Sequence, residues 1–132
     1  MTLLDTNVII YYLKGDPEIV ARMHKASRNE LAIPAIVVYE LEYGTLRSKL
    51  PARRKREIEA GLEQMQQVPF DSAAAKAAAS IRVELERQGA MIGPLDILIA
   101  GTAVSRAAAL VTHNVTEFSR FPGLRVVDWK SA

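Results

Sequence analysis

The chain contains no cysteine. That absence removes disulfides, thiolate metal sites and cysteine nucleophiles together, leaving oxygen and imidazole as the available ligands. Histidine is scarce as well, at 2 in 132 residues, so a histidine-rich zinc site is not expected. No apolar run approaches the roughly 18 to 20 residues that a membrane span needs, and no basic-then-apolar leader opens the sequence. The expectation is a cytoplasmic protein with no membrane association. A formal net charge of +2 is too small to argue for a polyanionic partner, so any such argument has to come from how the charge is distributed. What remains is ordinary for a globular protein: 49% hydrophobic and 24% charged residues, over a length that suits one compact domain.

One stretch near the start organises the rest. In Thr2-Leu3-Leu4-Asp5-Thr6-Asn7-Val8-Ile9-Ile10, a short apolar run meets an acid, small capping residues follow, and a second apolar run opens at helical spacing. This reads as strand, carboxylate, cap and helix, with Asp5 at the carboxyl end of a first strand, where open α/β sheets gather their ligands. Further on, Asp16-Pro17-Glu18 is a helix start, with Ile19, Val20 and Met23 as its apolar stripe. Leu31-Ala32-Ile33 is a second strand, and a helix from Ala35 to about Leu46 carries Glu40, Glu42 and Gly44. Another helix follows Pro51, with Ile58, Leu62 and Met65 facing inward, and Val68-Pro69-Phe70 is a weak third strand suited to a sheet edge. Asp71 or Ser72 caps an alanine-rich helix whose Ala77, Ile81 and Leu85 share a face and whose end is Gly89. Gly93-Pro94-Leu95-Asp96 opens a strongly apolar helix. Leu110-Val111-Thr112 is a fourth strand, Thr116 to Arg120 a short helix, and Leu124 to Val127 a last strand. Strands separated by helices predict parallel crossovers and a three-layer α/β domain, with a central, mostly parallel sheet of four to five short strands.

In that layout Asp5, Glu40, Asp96 and Asn114 can all converge on one edge of the sheet. Carboxylates sharing a cleft raise each other's pKa, and a hard divalent cation removes the penalty. Mg²⁺ or Mn²⁺ takes oxygen ligands, keeps some water and binds through one or two carboxylates plus substrate phosphate, which points to phosphodiester hydrolysis. Each residue also has an ordinary reading: Asp5 as a helix cap, Glu40 as a solvated helical acid, Asp96 as a dipole-favoured residue in a first turn, Asn114 as a turn residue. Spacing does not choose Glu40 over Glu42.

The quoted segments, together with Glu40-Leu41-Glu42-Tyr43-Gly44, Pro94-Leu95-Asp96-Ile97-Leu98-Ile99-Ala100, Val111-Thr112-His113-Asn114-Val115-Thr116-Glu117-Phe118, Pro122-Gly123-Leu124 and Asp128-Trp129, resemble the PIN-domain endoribonucleases of the VapC toxin type, across nearly all of residues 1–132. The resemblance implies a single PIN domain with an acidic site of Asp5, Glu40 and Asp96. Asp5 and Asp96 are then the direct ligands of Mg²⁺, with Mn²⁺ as a substitute. Because the family's Glu-x-x-x-Gly pattern falls on Glu40 and Gly44, it also selects Glu40 and leaves Glu42 at the surface. Asn114 stands where many relatives carry a fourth acid; a neutral amide adds no charge there, which argues against a tightly held second metal. Thr6 is expected to hydrogen-bond the metal-site carboxylates and Thr112 to position the turn that follows it. The implied substrate is structured RNA such as transfer or ribosomal RNA loops. A homodimer is the implied working form, and a cognate VapB-type antitoxin the inhibitor.

Arg47, Lys49, Arg53, Arg54, Lys55 and Arg56 place 6 positive side chains in ten residues. Cations in the opening turn of the helix after Pro51 oppose its dipole, so local stability does not explain them, whereas an RNA backbone does. Tyr11, Tyr12, Tyr39 and Tyr43 read as core or interface. Three other readings fit part of the pattern. A metal-free ribonuclease would use the RNA 2′-hydroxyl with His24 and His113 as acid and base. A phospho-acceptor signalling module would want paired acids after the first strand. A catalytically impaired PIN scaffold would bind RNA or antitoxin without cutting.

Overall fold

The computed structural model describes residues 1–130 of the chain. Five strands form a single sheet in the order β3-β2-β1-β4-β5: β1 (Thr2–Leu4), β2 (Leu31–Pro34), β3 (Gln66–Val68), β4 (Ala109–Val111) and β5 (Val126–Val127). All four pairings are parallel, so the expected mostly parallel sheet is wholly parallel. It is flanked by α1 (Thr6–Leu13), α2 (Pro17–Lys25), α3 (Ala35–Arg47), α4 (Ala52–Glu63), α5 (Ser72–Gln88), α6 (Pro94–Ser105) and α7 (Val115–Phe118). From β1 the chain steps to β2 and then to β3 on one side. It then returns across the sheet to β4 and β5 on the other, so the order of strands reverses between β1 and β4. Open parallel sheets bind their ligands at such a switch point, beyond the carboxyl ends of the strands. Asp5 stands there, its N–H donating to the Val111 carbonyl at 2.9 Å and tying β1 to β4.

The apolar runs do what their length predicts. Leu3, Leu4, Ile33, Leu110 and Val111 are almost fully buried in the central strands. In α6 a buried run of Ile97, Ile99, Ala100, Gly101, Thr102 and Ala103 packs against α5, and the Thr102 hydroxyl is satisfied by the Leu98 carbonyl at 2.8 Å. Contact between these helices is very close: a Cβ on Gly101 would lie 2.7 Å from that of Ala78. The buried face of α5 is Ala74, Ala78, Ile81 and Leu85, one position on from the Ala77 that the sequence pattern marks. Caps fall where expected, with Asp16 accepting from the Glu18 and Ile19 amides and Asp71 from the Ala74 amide; Gly89 leaves α5 at φ +66°.

Three strand positions differ from the sequence reading. β3 is Gln66–Val68 rather than 68–70, because the edge strand pairs through the exposed Gln66 and Gln67 and only Val68 turns into the core. Pro69, which has no N–H to donate, ends it instead of lying within it. β4 is Ala109–Val111, one residue earlier than 110–112, and β5 keeps only Val126–Val127 of 124–127. Among the described residues no helix is long and apolar enough to cross a membrane.

Candidate active site

Asp5 is 4% exposed and spends its two carboxylate oxygens differently. Oδ1 accepts from the Thr6 N–H at 2.8 Å, capping α1, and Oδ2 accepts from the Thr112 hydroxyl at 2.7 Å. The cap reading and the site reading are thus satisfied by different atoms. Burial pushes the Asp5 carboxyl above the ordinary carboxylate range, and these two hydrogen bonds draw it back. Thr112 is fully buried, and its Oγ1 also accepts the Asn114 N–H at 3.0 Å, so one hydroxyl fixes the acid on β1 and the turn after β4. Thr6 does the parallel job across α1 and α3, donating to Glu40 Oε1 at 2.9 Å. Glu42, expected at the surface, is half-buried and has no bond to this group.

Asp96 opens α6, and its carboxyl is pushed up to about 6. Burial is the larger cause, followed by the negative charges of Asp5, Glu40 and Glu117. The three acids named from sequence therefore share one electrostatic neighbourhood, and Glu117 is a fourth member that sequence reasoning missed. Asn114 stands at the start of α7. Its Nδ2 donates to Glu117 Oε2 at 2.8 Å and orients the glutamate, one turn of α7 further along, that carries the charge. The available signal was the spacing Asn114-x-x-Glu117 at a helix start, which places an acid on the same face as the residue that opens the helix.

This donor set suits a hard cation better than a soft one. The donors are all oxygen, and mutual repulsion at Asp96 is what a divalent ion relieves. Among the described residues no three acids or histidines are gathered tightly enough to enclose an ion. A cation that keeps several waters and uses one or two carboxylates fits this openness.

The remaining candidates separate. His24 lines a cavity of about 430 Å³ with Met23, Arg28, Asn29 and Met65, beside the residues that lead into β2 and β3. His113 follows β4, pairs with Asp128 and does not line that cavity, so no described contact brings the two histidines together. The basic cluster is also divided. Arg53 and Arg54 pair with Glu57, and Arg54 donates to the Leu13 carbonyl at 2.8 Å, capping the end of α1. Arg47 lies over the Tyr43 ring at 5.5 Å, while Lys49, Lys55 and Arg56 have no carboxylate partner among the described residues.

The sheet and its acidic edge define the class first: the PIN-domain profile matches residues 2–124. The chain is 39% identical over 127 residues, 96% of both sequences, to a tRNA(fMet)-specific endonuclease VapC of Shigella flexneri. Its fold is similar to the DNA-bound VapBC crystal structure from Salmonella typhimurium, with a TM-score of 0.91 and 36% identity over 98% of each chain. It is equally similar, at a TM-score of 0.91 and 31% identity over 98% of each chain, to VapBC2 of Rickettsia felis bound to a promoter DNA fragment. The chain belongs to the PIN-domain family, among its VapC ribonucleases. It is accordingly a nuclease, of a family whose members are in general dependent on a divalent metal.

Proposed function

We propose that this ribonuclease is an Mg²⁺-dependent toxin that cuts structured RNA, transfer or ribosomal RNA loops, and is silenced by a cognate VapB-type antitoxin. The observation that carries the mechanism is the braced acids at the switch point, Asp5 held by Thr112 and Glu40 by Thr6, with burial and the charges of Asp5, Glu40 and Glu117 raising the Asp96 carboxyl. Asp5 and Asp96 would hold the cation, and Glu40, braced by Thr6, would complete the cluster and orient the attacking water. Asn114 serves catalysis indirectly, by fixing Glu117. A bound Mg²⁺ would supply charge neutralisation at the phosphate and a more acidic water. Hydrolysis by water leaves 5′-phosphate and 3′-hydroxyl ends. The names of the relatives support the RNA and antitoxin assignments, and a cellular RNA substrate supports a cytoplasmic location. Tyr39, Tyr43 and Leu46 form an exposed stripe on α3, continued by Leu50, and support a homodimer that covers it.

The test is cleavage of transfer RNA by purified Asp5→Asn and Asp96→Asn proteins. Loss of roughly 10²-fold or more is expected, with circular dichroism unchanged, and EDTA should stop the wild type until Mg²⁺ or Mn²⁺ is restored. Full activity in either variant refutes the assignment, and a wild type that binds RNA without cutting it would establish the scaffold reading.

A further inference from the structure

His113 lies between the two residues that brace the acids, Thr112 on Asp5 and Asn114 on Glu117, yet it plays no part in holding the cluster. Its side chain is 42% exposed. For so open a ring it is unusually well held. Nδ1 meets both Asp128 oxygens at 3.2 and 3.0 Å, and the ring stands edge-on to Tyr11, with centroids 6.1 Å apart. Lys130 secures both supports: its N–H donates to Asp128 Oδ1 at 3.0 Å, and its ammonium lies 4.3 Å from the Tyr11 centroid while bound to Asp16 at 2.7 Å. An exposed imidazole gains little stability from such fixation, whereas a ligand-binding one gains orientation.

The chemistry follows from the partner. A carboxylate offers only lone pairs, so the hydrogen in the His113–Asp128 contact sits on Nδ1, and in that tautomer Nε2 is the ring's acceptor. The Nε2 lone pair repels phosphate oxygens and matches a hydroxyl donor. The residues on either side of this ring, Thr112 and Asn114, hydrogen-bond Asp5 and Glu117, and the donor that an RNA strand carries along its backbone is the ribose 2′-hydroxyl, the group that distinguishes RNA from DNA. We propose that His113 Nε2, locked as an acceptor by Asp128, accepts a hydrogen bond from a ribose 2′-hydroxyl beside the scissile phosphate and so selects RNA over DNA.

The inference rests on the chain being an RNA-cutting enzyme, and the experiment separates the two. Cleavage of unfractionated transfer RNA by the wild type is mapped first; no cut there means that the proposed function has failed. A synthetic hairpin spanning the mapped cut is then made all-ribose, and with a single 2′-deoxyribose at each position around it. At one position the deoxy substitution should lower wild-type kcat/KM by about 3- to 10-fold, the worth of one neutral hydrogen bond. His113→Ala and Asp128→Asn should lose a similar factor on the all-ribose hairpin and nothing further on that deoxy hairpin. Penalties that multiply at every position overturn the proposal. So does an unaltered His113→Ala enzyme, and so do cyclic-phosphate ends, which would make the 2′-hydroxyl the nucleophile.

Discussion

Burial first, and then the charges of Asp5, Glu40 and Glu117, raise the Asp96 carboxyl to about 6 against an ordinary 3.8. An acid whose folded pKa is raised favours its protonated form, so the fold loses stability as pH climbs from about 4 to about 6 and bears the whole penalty above that. The side chain is partly open to solvent, which screens the like charges and limits the penalty to about 1 to 2 kcal/mol. Asp96→Asn should therefore melt higher than wild type at pH 8 in EDTA, the gap closing below pH 6 and vanishing near pH 4; equal melting temperatures at pH 8 would contradict this account. The same proton competes with a cation, so Mg²⁺ affinity measured calorimetrically should be weaker at pH 5.5 than at pH 7.5. How legible these residues are depends on how local their signals are. Asp5 and Asp96 show in sequence because each sits where a strand stops or a helix starts. Glu40 and Glu42 have equivalent neighbours in sequence, and what separates them is a hydrogen bond from Thr6, 34 residues away. Glu117 stayed hidden because the family pattern drew attention to Asn114, whose role becomes clear only once its amide is seen on Glu117.

Between elements, two helical glycines make a controlled comparison. Gly101 of α6 faces α5 with no room for a methyl group, since an added Cβ would meet Ala78 backbone and side-chain atoms at 2.7 to 2.8 Å. Gly44 of α3 has nothing within 4 Å of the same added atom. Gly101→Ala is expected to destabilise the fold by about 1 to 3 kcal/mol through overpacking. Gly44→Ala should stabilise it by about 0.5 to 1 kcal/mol through helix propensity. Urea unfolding of the two variants reads both signs, and a stabilised Gly101→Ala would mean that α5 and α6 separate easily. α6 was readable as a buried helix from its apolar run, and on α5 Ile81 and Leu85 were placed on the buried face while Ala77 was marked in place of Ala78. Alanine, small enough for either face, leaves almost no periodicity, and the buried side is decided by where Gly101 lets the helices meet. β3 was misplaced for a related reason. Its outward Gln66 and Gln67 carry no apolar signal, and the pairing with Ala32 and Ile33 that defines it is not local.

Over the whole molecule, function depends on where charge of each sign accumulates. The sheet order brings Asp5 and Thr112 side by side at its switch point and α6 and α7 deliver Asp96 and Glu117 to the same neighbourhood, concentrating negative charge in a protein whose net charge is +2. A polyanion approaching that cleft needs compensating cations nearby. Of the six residues in the basic cluster, Arg53 and Arg54 are paired with Glu57, and Arg47 is spread over Tyr43. Lys49, Lys55 and Arg56 are the ones left for phosphates. Each phosphate neutralised on a single strand contributes about 0.7 to the slope of log affinity against log salt. Replacing Lys49, Lys55 and Arg56 together by alanine should flatten that slope by about 2 for transfer RNA bound to the non-cleaving Asp96→Asn protein, whereas Arg53→Ala should barely move it. An unchanged slope in the triple variant would return these cations to the role of a solvated helical face and require the RNA to reach the acids by another surface.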